Sequence, residues 1–130
     1  MFKVDFQRIQ SVLAKVPDLV AAWVFGSGQT GRVGPNSDLD IALFFGEKPS
    51  LNKLADLRAA LQEALHFDDI DLVILNEASP ITRFEAVSGR PVYTRDASAR
   101  AGFVSLTARE YEDAIAFLQR GLHYRSAGKA

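Results

Sequence analysis

The length and composition of this chain of 130 residues exclude several classes of protein. Hydrophobic residues make up 48% and charged residues 24%, which is ordinary for a globular protein with a buried core. A net charge of −1 with scattered basic residues argues against direct nucleic-acid binding. No cysteine is present for disulfides or thiolate metal sites, and no apolar run predicts a signal peptide or membrane span. We therefore expect a single cytoplasmic domain over residues 1–130.

Apolar patterns, taken in chain order, predict a mixed α/β chain. Residues at helical spacing mark four helices, and short apolar runs mark four strands. Thr107 to Glu110 match a capping box, so we expect the last helix to begin there, while the small and polar residues 96–102 are either loop or already the start of the last helical region. Its apolar side is expected at Tyr111, Ile115, Leu118 and Leu122. The predicted order is helix Phe2–Val16, strands Leu19–Phe25 and Asp38–Phe45, helix Leu51–Leu65, strand Ile70–Leu75, helix Pro80–Ser88, strand Pro91–Thr94 and the last helix.

The stretch Val24–Phe45 carries the clearest chemical pattern in the chain. Asp38 and Asp40 stand two residues apart at the head of a strand, so both carboxylates leave the same face. Carboxylates that close repel unless their pKa values separate or a cation lies between them, and Mg²⁺ commonly binds one or two carboxylates plus substrate phosphates. Gly26 and Ser27 form a turn whose backbone amides can contact a phosphate. Together these features indicate phosphoryl or nucleotidyl transfer.

Two further polar residues accompany this pattern. Asp71 is a carboxylate inside an otherwise apolar strand, and a buried acid is costly unless it is paired or bound to a cation. We therefore expect Asp71 to be buried beside a cation shared with Asp38 and Asp40. The alternative is an edge strand on which Asp71 points to water. Ser37 directly precedes the aspartate pair, where it either orients the carboxylates or is an ordinary turn serine.

A family resemblance rests on these residues. The motif Gly26-Ser27, ten residues, Asp38-Leu39-Asp40, followed by Asp71 on an apolar strand, resembles the DNA polymerase β-like nucleotidyltransferase superfamily. Size and layout are similar to its minimal nucleotidyltransferase (MNT) branch, whose members are often antitoxin partners of HEPN-domain RNases. The resemblance implies an α/β (α+β) fold with a small mixed sheet, partly antiparallel, and helices packed on it.

The resemblance also implies a ligand set. Two Mg²⁺ ions would bridge the protein and ATP, and their ligands would be Asp38, Asp40 and Asp71. The nucleotide would contact Gly26, Ser27 and Ser37. Members of the family often read Gly-Ser-x-Ala-Arg-Gly, but this chain has Thr30 at the arginine position. Arg32 lies two residues further on and is the candidate replacement contact to the triphosphate.

For function, the resemblance implies an antitoxin that transfers AMP from ATP to a hydroxyl, with tyrosine the favoured acceptor, on a HEPN toxin. Asp71 would help to deprotonate that hydroxyl. Two alternatives stay open: a small-molecule nucleotidyltransferase of the drug-modifying kind, and an antitoxin that blocks its toxin by binding alone. The two proteins would form a hetero-oligomer, and we expect the exposed side of the last helix around Phe117 and Arg120 to contact the toxin.

Overall fold

A computed structural model describes residues 1–127 of the chain, with side chains described up to Gly121. Its elements confirm the predicted α/β class and the predicted order of helices and long strands. A short 3₁₀ turn, Gly26–Thr30, follows the first long strand. In chain order the elements are β1 Phe2–Lys3, α1 Phe6–Leu13, β2 Leu19–Phe25, β3 Arg32–Val33, β4 Leu39–Phe45, α2 Leu51–Leu65, β5 Ile70–Ile74, α3 Pro80–Val87, β6 Arg90–Thr94 and α4 Ala97–Ala127.

The four long strands form one mixed sheet in the order β5-β4-β2-β6. β2 is antiparallel to both β4 and β6, whereas β4 and β5 are parallel because α2 crosses over between them. β1 and β3 form a separate antiparallel ribbon of two strands. This topology places the end of β2 and the starts of β4 and β5 at the same end of the sheet.

Helices cover both faces of the sheet, which explains why β2 and β4 read as nearly continuous apolar runs. On one face, Ile9 of α1 and Leu61 of α2 pack against alternate strand residues such as Ile41. On the other face, Ala86 of α3 and Phe103 of α4 pack against the intervening residues. We therefore expect polar strand side chains on this second face to lie beyond the area that α3 and α4 cover.

The start of the chain differs from its prediction. Phe2 is not helical: it lies in β1 opposite Val33, and its ring stacks on Phe67 with the centroids 4.1 Å apart. Helix α1 begins only at Phe6, because the side chain of Asp5 accepts a hydrogen bond from the backbone N–H of Arg8 at 3.1 Å. The apolar residues at positions 2 and 6 thus belong to different elements.

The last helix begins ten residues earlier than its predicted capping box. The Asp96 side chain caps it by accepting a hydrogen bond from the N–H of Ala99 at 3.0 Å. Phe103 then stacks on Phe44 of the sheet, with the centroids 4.0 Å apart, so packing stabilises the first turns despite their small residues. Thr107 lies in the middle of α4 and is 1% exposed, so it caps nothing.

The predicted apolar side of α4 is only partly correct. Leu118 is 50% exposed, and Phe117 is 71% exposed, as expected. The side chain of Leu122 lies outside the described residues. Within residues 1–127, no helix, including the 31-residue α4, is apolar enough over sufficient length to cross a membrane.

Gly89 provides a test of how tightly α3 and β6 are joined to the central strand. A Cβ atom at this position would lie 2.5 Å from the carbonyl oxygen of Val24 and 2.9 Å from the Cβ atom of Phe25. Both neighbours belong to the backbone region that leads into Gly26, so they cannot move freely. We expect Gly89→Ala to lower the free energy of unfolding by about 1–3 kcal/mol, the usual range for overpacking. Urea denaturation followed by Trp23 fluorescence would measure it.

Gly102 is the matched control, because a Cβ atom there meets nothing within 4 Å. Gly102→Ala on α4 is expected to raise the free energy of unfolding by about 0.5–1 kcal/mol, through helix propensity alone. A Gly89→Ala variant as stable as the wild type would show that the junction of α3 and β6 can yield.

Candidate functional site

The parallel pairing of β4 with β5 places two carboxylates side by side. Asp40 lies opposite Asp71 in the register, so both side chains leave the same face of the sheet. That face is the one covered by α3 and α4, because Ala42 and Val73, two residues further along each strand, belong to its core. Asp38 immediately precedes β4 at the same end. The structure therefore gathers the three predicted acids at one end of the sheet.

Hydrogen bonds at both ends of β4 stabilise this register. At the site end, the N–H of Leu39 donates to the carbonyl oxygen of Asp69 at 2.8 Å. At the far end, the amide of Asn76 bonds to both backbone groups of Phe45, accepting at 3.0 Å and donating at 2.8 Å. A slip of one residue would break both sets of bonds and turn Asp40 to the opposite face.

Asp40 is the electrostatic centre of the site. Burial raises the pKa of the Asp40 carboxyl above its ordinary value, and the negative charges of Asp71, Asp38 and Glu85 raise that pKa further. None of these four acids forms an ion pair with a residue in the described part of the chain. The charged form of Asp40 is therefore disfavoured until a cation joins the site.

Glu85 is a functional candidate that the sequence did not reveal. It lies on α3, and its charge acts on Asp40 although 45 positions separate the two residues. Arg83 anchors this helix beside β5, because its guanidinium donates to the carbonyl oxygens of Leu75 and Asn76 at 2.8 and 3.1 Å. In the sequence, an acid on a short amphipathic helix looks like any solvated residue, so only the packing of α3 identifies it.

The donor set fits a divalent cation in charge and in atom type. Carboxylate oxygens are ligands that Mg²⁺ prefers, and a cation would relieve the repulsion around Asp40. Within the described side chains, no group of three acidic, His or Cys residues lies close enough to hold an ion by itself. The site therefore suits an ion that completes its shell with substrate phosphates and water, as Mg²⁺ commonly does.

The expected burial of Asp71 is wrong. Its side chain is exposed because β5 is an edge strand of the sheet, so water can solvate the carboxylate without a buried partner. The burial cost that pointed to this residue does not exist. What singles out Asp71 in the structure is its register position beside Asp40.

Gly26 places the Gly-Ser turn directly against Asp40. Its φ angle is +69°, in the left-handed region, and a Cβ atom there would lie 2.8 Å from Oδ2 of Asp40. Two residues further on, a Cβ atom at Gly28 would lie 2.7 Å from Cδ1 of Leu39, so this position is also tightly packed against the start of β4. The two glycines therefore let a bare backbone turn lie on the start of β4, next to the carboxylates.

The remaining predicted residues lie around this turn. Ser27 is exposed, and its carbonyl oxygen accepts a hydrogen bond from the hydroxyl of Thr30 at 3.0 Å. Ser37 is half-buried, and its N–H donates to the carbonyl of Gly34 at 3.2 Å in the turn before Asp38. Arg32 is exposed on β3, where it lies opposite Lys3. Thr30 thus closes the turn, and Arg32 lies on the separate ribbon.

A groove of about 470 Å³ runs from the turn to α3 and α4. The groove is lined by Gly26 and Glu85. Gly26 lies against the Asp40 carboxylate, and the charge of Glu85 raises the pKa of Asp40. One wall consists of Phe84 and Tyr111, whose stacked rings have centroids 4.1 Å apart. A larger groove of about 660 Å³ lies between α1 and α2. None of the three predicted acids lines either groove, but only the smaller one is lined by Gly26 and Glu85, which both act on Asp40. We therefore assign the site to the smaller groove.

Comparison with known proteins agrees on one family. A family model described as polymerase beta nucleotidyltransferase matches residues 7–98, which include every predicted site residue. A mutant MntA–HpeT toxin–antitoxin structure matches with a TM-score of 0.81 and 24% identity, over 95% of this chain and 99% of that chain. A toxin–antitoxin structure with AMP-PNP matches with a TM-score of 0.78 and 25% identity over the same shares. No curated protein matches the chain.

A third similar structure comes from Shewanella oneidensis. It contains a tri-AMPylated HEPN toxin of Shewanella oneidensis in complex with MNT antitoxin. The match has a TM-score of 0.72 and 23% identity, and it covers 93% of this chain and 95% of that chain. The shared fold therefore extends over nearly the whole length of each chain.

The raised pKa of Asp40 predicts a stability that depends on pH. For an acid whose folded pKa is raised, the contribution to stability is present below the unfolded pKa and is lost as the pH rises through the folded pKa. Without nucleotide or divalent cation, Asp40→Asn should therefore raise the Tm at pH 7 by about 1–3 °C, a small effect because solvent screens a half-exposed group. The gain should vanish in acid. Differential scanning fluorimetry in EDTA from pH 4 to pH 8 would measure it.

Asp69→Asn is the matched control, since Asp69 is exposed beside the site and does not act on the pKa of Asp40. It should leave the Tm unchanged across the range. A lower Tm for Asp40→Asn at pH 7 would show that the Asp40 carboxylate stabilises the ligand-free fold, contrary to the arrangement described above.

Proposed function

The chain belongs to the polymerase beta nucleotidyltransferase family, and we propose that it transfers AMP from ATP to a hydroxyl of a HEPN-domain toxin, which it thereby neutralises. The proposal depends above all on the register that sets Asp40 beside Asp71, against the Gly26 turn. It is supported by similar structures, one of a toxin–antitoxin with AMP-PNP and one of a tri-AMPylated HEPN toxin with its MNT antitoxin. A tyrosine is the acceptor that we favour.

In the proposed reaction, the acceptor hydroxyl oxygen forms a bond to the α-phosphorus of ATP. The bond from that phosphorus to the oxygen bridging the α- and β-phosphates breaks, and pyrophosphate leaves with the electron pair. Asp71 takes the proton of the attacking hydroxyl. The exposure of Asp71 at the sheet edge suits this role, because a side chain on another protein can reach it.

The other site residues bind and orient the nucleotide. Gly26 and Ser27 present backbone amides to the β- and γ-phosphates, since no side chain at position 26 blocks their approach. Ser37 contacts the nucleotide next to Asp38. We propose Mg²⁺, in two ions, as the cation that Asp38, Asp40 and Asp71 would hold, where it would neutralise charge on the phosphates. We also propose a cytoplasmic location and a hetero-oligomer with the toxin.

Mass spectrometry of the toxin tests the proposed transfer. Incubation of the chain with ATP, Mg²⁺ and its cognate HEPN-domain toxin should add AMP units of about 329 Da each to that protein, as nucleotidyl transfer requires. The double variant Asp38→Asn, Asp40→Asn should add none. Neutralised toxicity without any mass gain from the wild-type protein would favour an antitoxin that acts by binding alone. Transfer to a small molecule but not to the toxin would favour a drug-modifying type of enzyme.

Asp71→Asn separates catalysis from binding. If Asp71 takes the proton, the variant should lower the rate of transfer by about 10²–10⁴-fold, the usual contribution of a general base. Its affinity for Mg·ATP, measured by calorimetry, should change far less. Asp69→Asn, on the exposed segment before the same strand, should change neither quantity. A rate for Asp71→Asn within a few-fold of the wild type would leave Asp71 without a catalytic role.

A further inference from the structure

We infer that a groove at the start of α3 and the middle of α4 is the docking site of the acceptor protein, an inference that rests on the proposed function. This α3–α4 groove has a volume of about 500 Å³. It is lined by Ile81 of α3 and by Glu110, Asp113, Ala114, Phe117 and Leu118 of α4. None of these lining residues belongs to either of the two hydrophobic cores on the faces of the sheet.

Exposed apolar surface is concentrated in this groove. Six large hydrophobic side chains are exposed within the described part of the chain, and three of them line it. Their exposed fractions are 43% for Ile81, 71% for Phe117 and 50% for Leu118. Single exposed hydrophobic residues are normal on a protein surface, but a cluster of them marks an interaction site.

The apolar stripe of α4 extends beyond the helix on which it packs. Phe103, Thr107 and Tyr111 follow one another at intervals of four along the packed face of α4, and Phe103 and Thr107 are buried. Ala114 and Leu118 continue the same stripe at intervals of three and four, but no residue from 112 to 121 is buried. α4 has 31 residues, about 46 Å of helix, whereas α3 has 8 residues, about 12 Å. The described residues therefore leave the continued stripe only partly covered.

The groove adjoins the proposed active site. Ile81 lines both the α3–α4 groove and the site groove that contains Gly26 and Glu85. A protein bound at Phe117 could therefore extend past Ile81 and enter the groove that leads to the carboxylates. This continuity is what an enzyme that modifies a bound protein requires.

Charge favours the acceptor protein over a second copy of this chain. Both charged residues that line the groove, Glu110 and Asp113, are acidic. Glu110 is paired with Arg83 at 3.6 Å, whereas Asp113 has no ion pair with any described residue. Two copies related by a twofold axis would bring these carboxylates towards one another at a cost, since a twofold interface uses the same patch twice. We therefore expect a partner that presents an apolar side chain flanked by Lys or Arg.

The test compares Phe117→Ser with Leu51→Ser. Leu51 is 84% exposed at the start of α2, which packs on the opposite face of the sheet, so it controls for loss of an exposed apolar side chain. Calorimetry with the cognate HEPN-domain toxin should show about thirtyfold weaker binding for Phe117→Ser, as for an interface hot spot. The affinity for Mg·ATP should stay within about twofold of the wild type. Leu51→Ser should change neither affinity.

A charge reversal tests the same groove without removing apolar surface. Asp113→Lys should slow association with the HEPN protein and reduce the dependence of the association rate on salt, measured by stopped flow. Asp56→Lys on α2, also exposed, should do neither. This pair keeps the inference testable if Phe117→Ser does not fold.

The outcomes separate this inference from the proposed function. Wild-type binding by both Phe117→Ser and Asp113→Lys would overturn the docking site even if AMP transfer is observed. Weakened binding of these variants, in a system where the wild type transfers no AMP, would support the docking site and remove the proposed activity. If analytical ultracentrifugation shows that Phe117→Ser instead abolishes self-association, the groove binds a second copy and the inference is wrong.

Discussion

Repulsion among carboxylates is the constraint around which this fold is arranged. Asp38, Asp40, Asp71 and Glu85 converge from the start of β4, from β5 and from α3, and no described basic group offsets them. Such an arrangement costs stability in the ligand-free protein, as functional sites often do. The cost can be sustained because two separate cores, one on each face of the sheet, fix β4 independently of the site. The rigid sheet therefore keeps the acids together.

The acids are positioned by hydrogen bonds from other residues that are not ligands themselves. Asn76 bonds to the backbone of Phe45 and secures the far end of the β4–β5 pair, and Arg83 ties α3 to the carbonyl oxygens that follow β5. Neither residue lies among the predicted ligands, yet the geometry of Asp71 and Glu85 depends on them. The fold thus separates chemistry at one end of the sheet from mechanical support at the other.

Local patterns in the sequence predicted most of the fold and part of the site. The long strands follow from short apolar runs, and the facing of Asp40 follows from the two-residue period of a strand, which the packing of both sheet faces obeys. The sequence does not predict the short β1–β3 ribbon, and it does not decide between loop and helix at the start of α4. In both cases the stabilising contact, Phe2 on Phe67 or Phe103 on Phe44, joins residues far apart in the chain. The sequence predicts that Asp71 is buried, and this is wrong because β5 lies at the edge of the sheet. The order of the strands cannot be read from the sequence. Glu85 has no local signal at all.

The close approach of Gly26 to Asp40 has an evolutionary consequence. Position 26 combines a left-handed backbone with a distance of 2.8 Å from a Cβ atom there to Oδ2 of Asp40, so a side chain at 26 would strain the backbone and displace the Asp40 carboxylate. The two positions are therefore coupled in one direction: a side chain at 26 disturbs the acid at 40, whereas a change at 40 leaves the glycine unaffected. Descendants of this chain that retain the carboxylate should retain the glycine with it, whereas those that lose the carboxylate are freed from the contact at position 26 and keep only its backbone constraint.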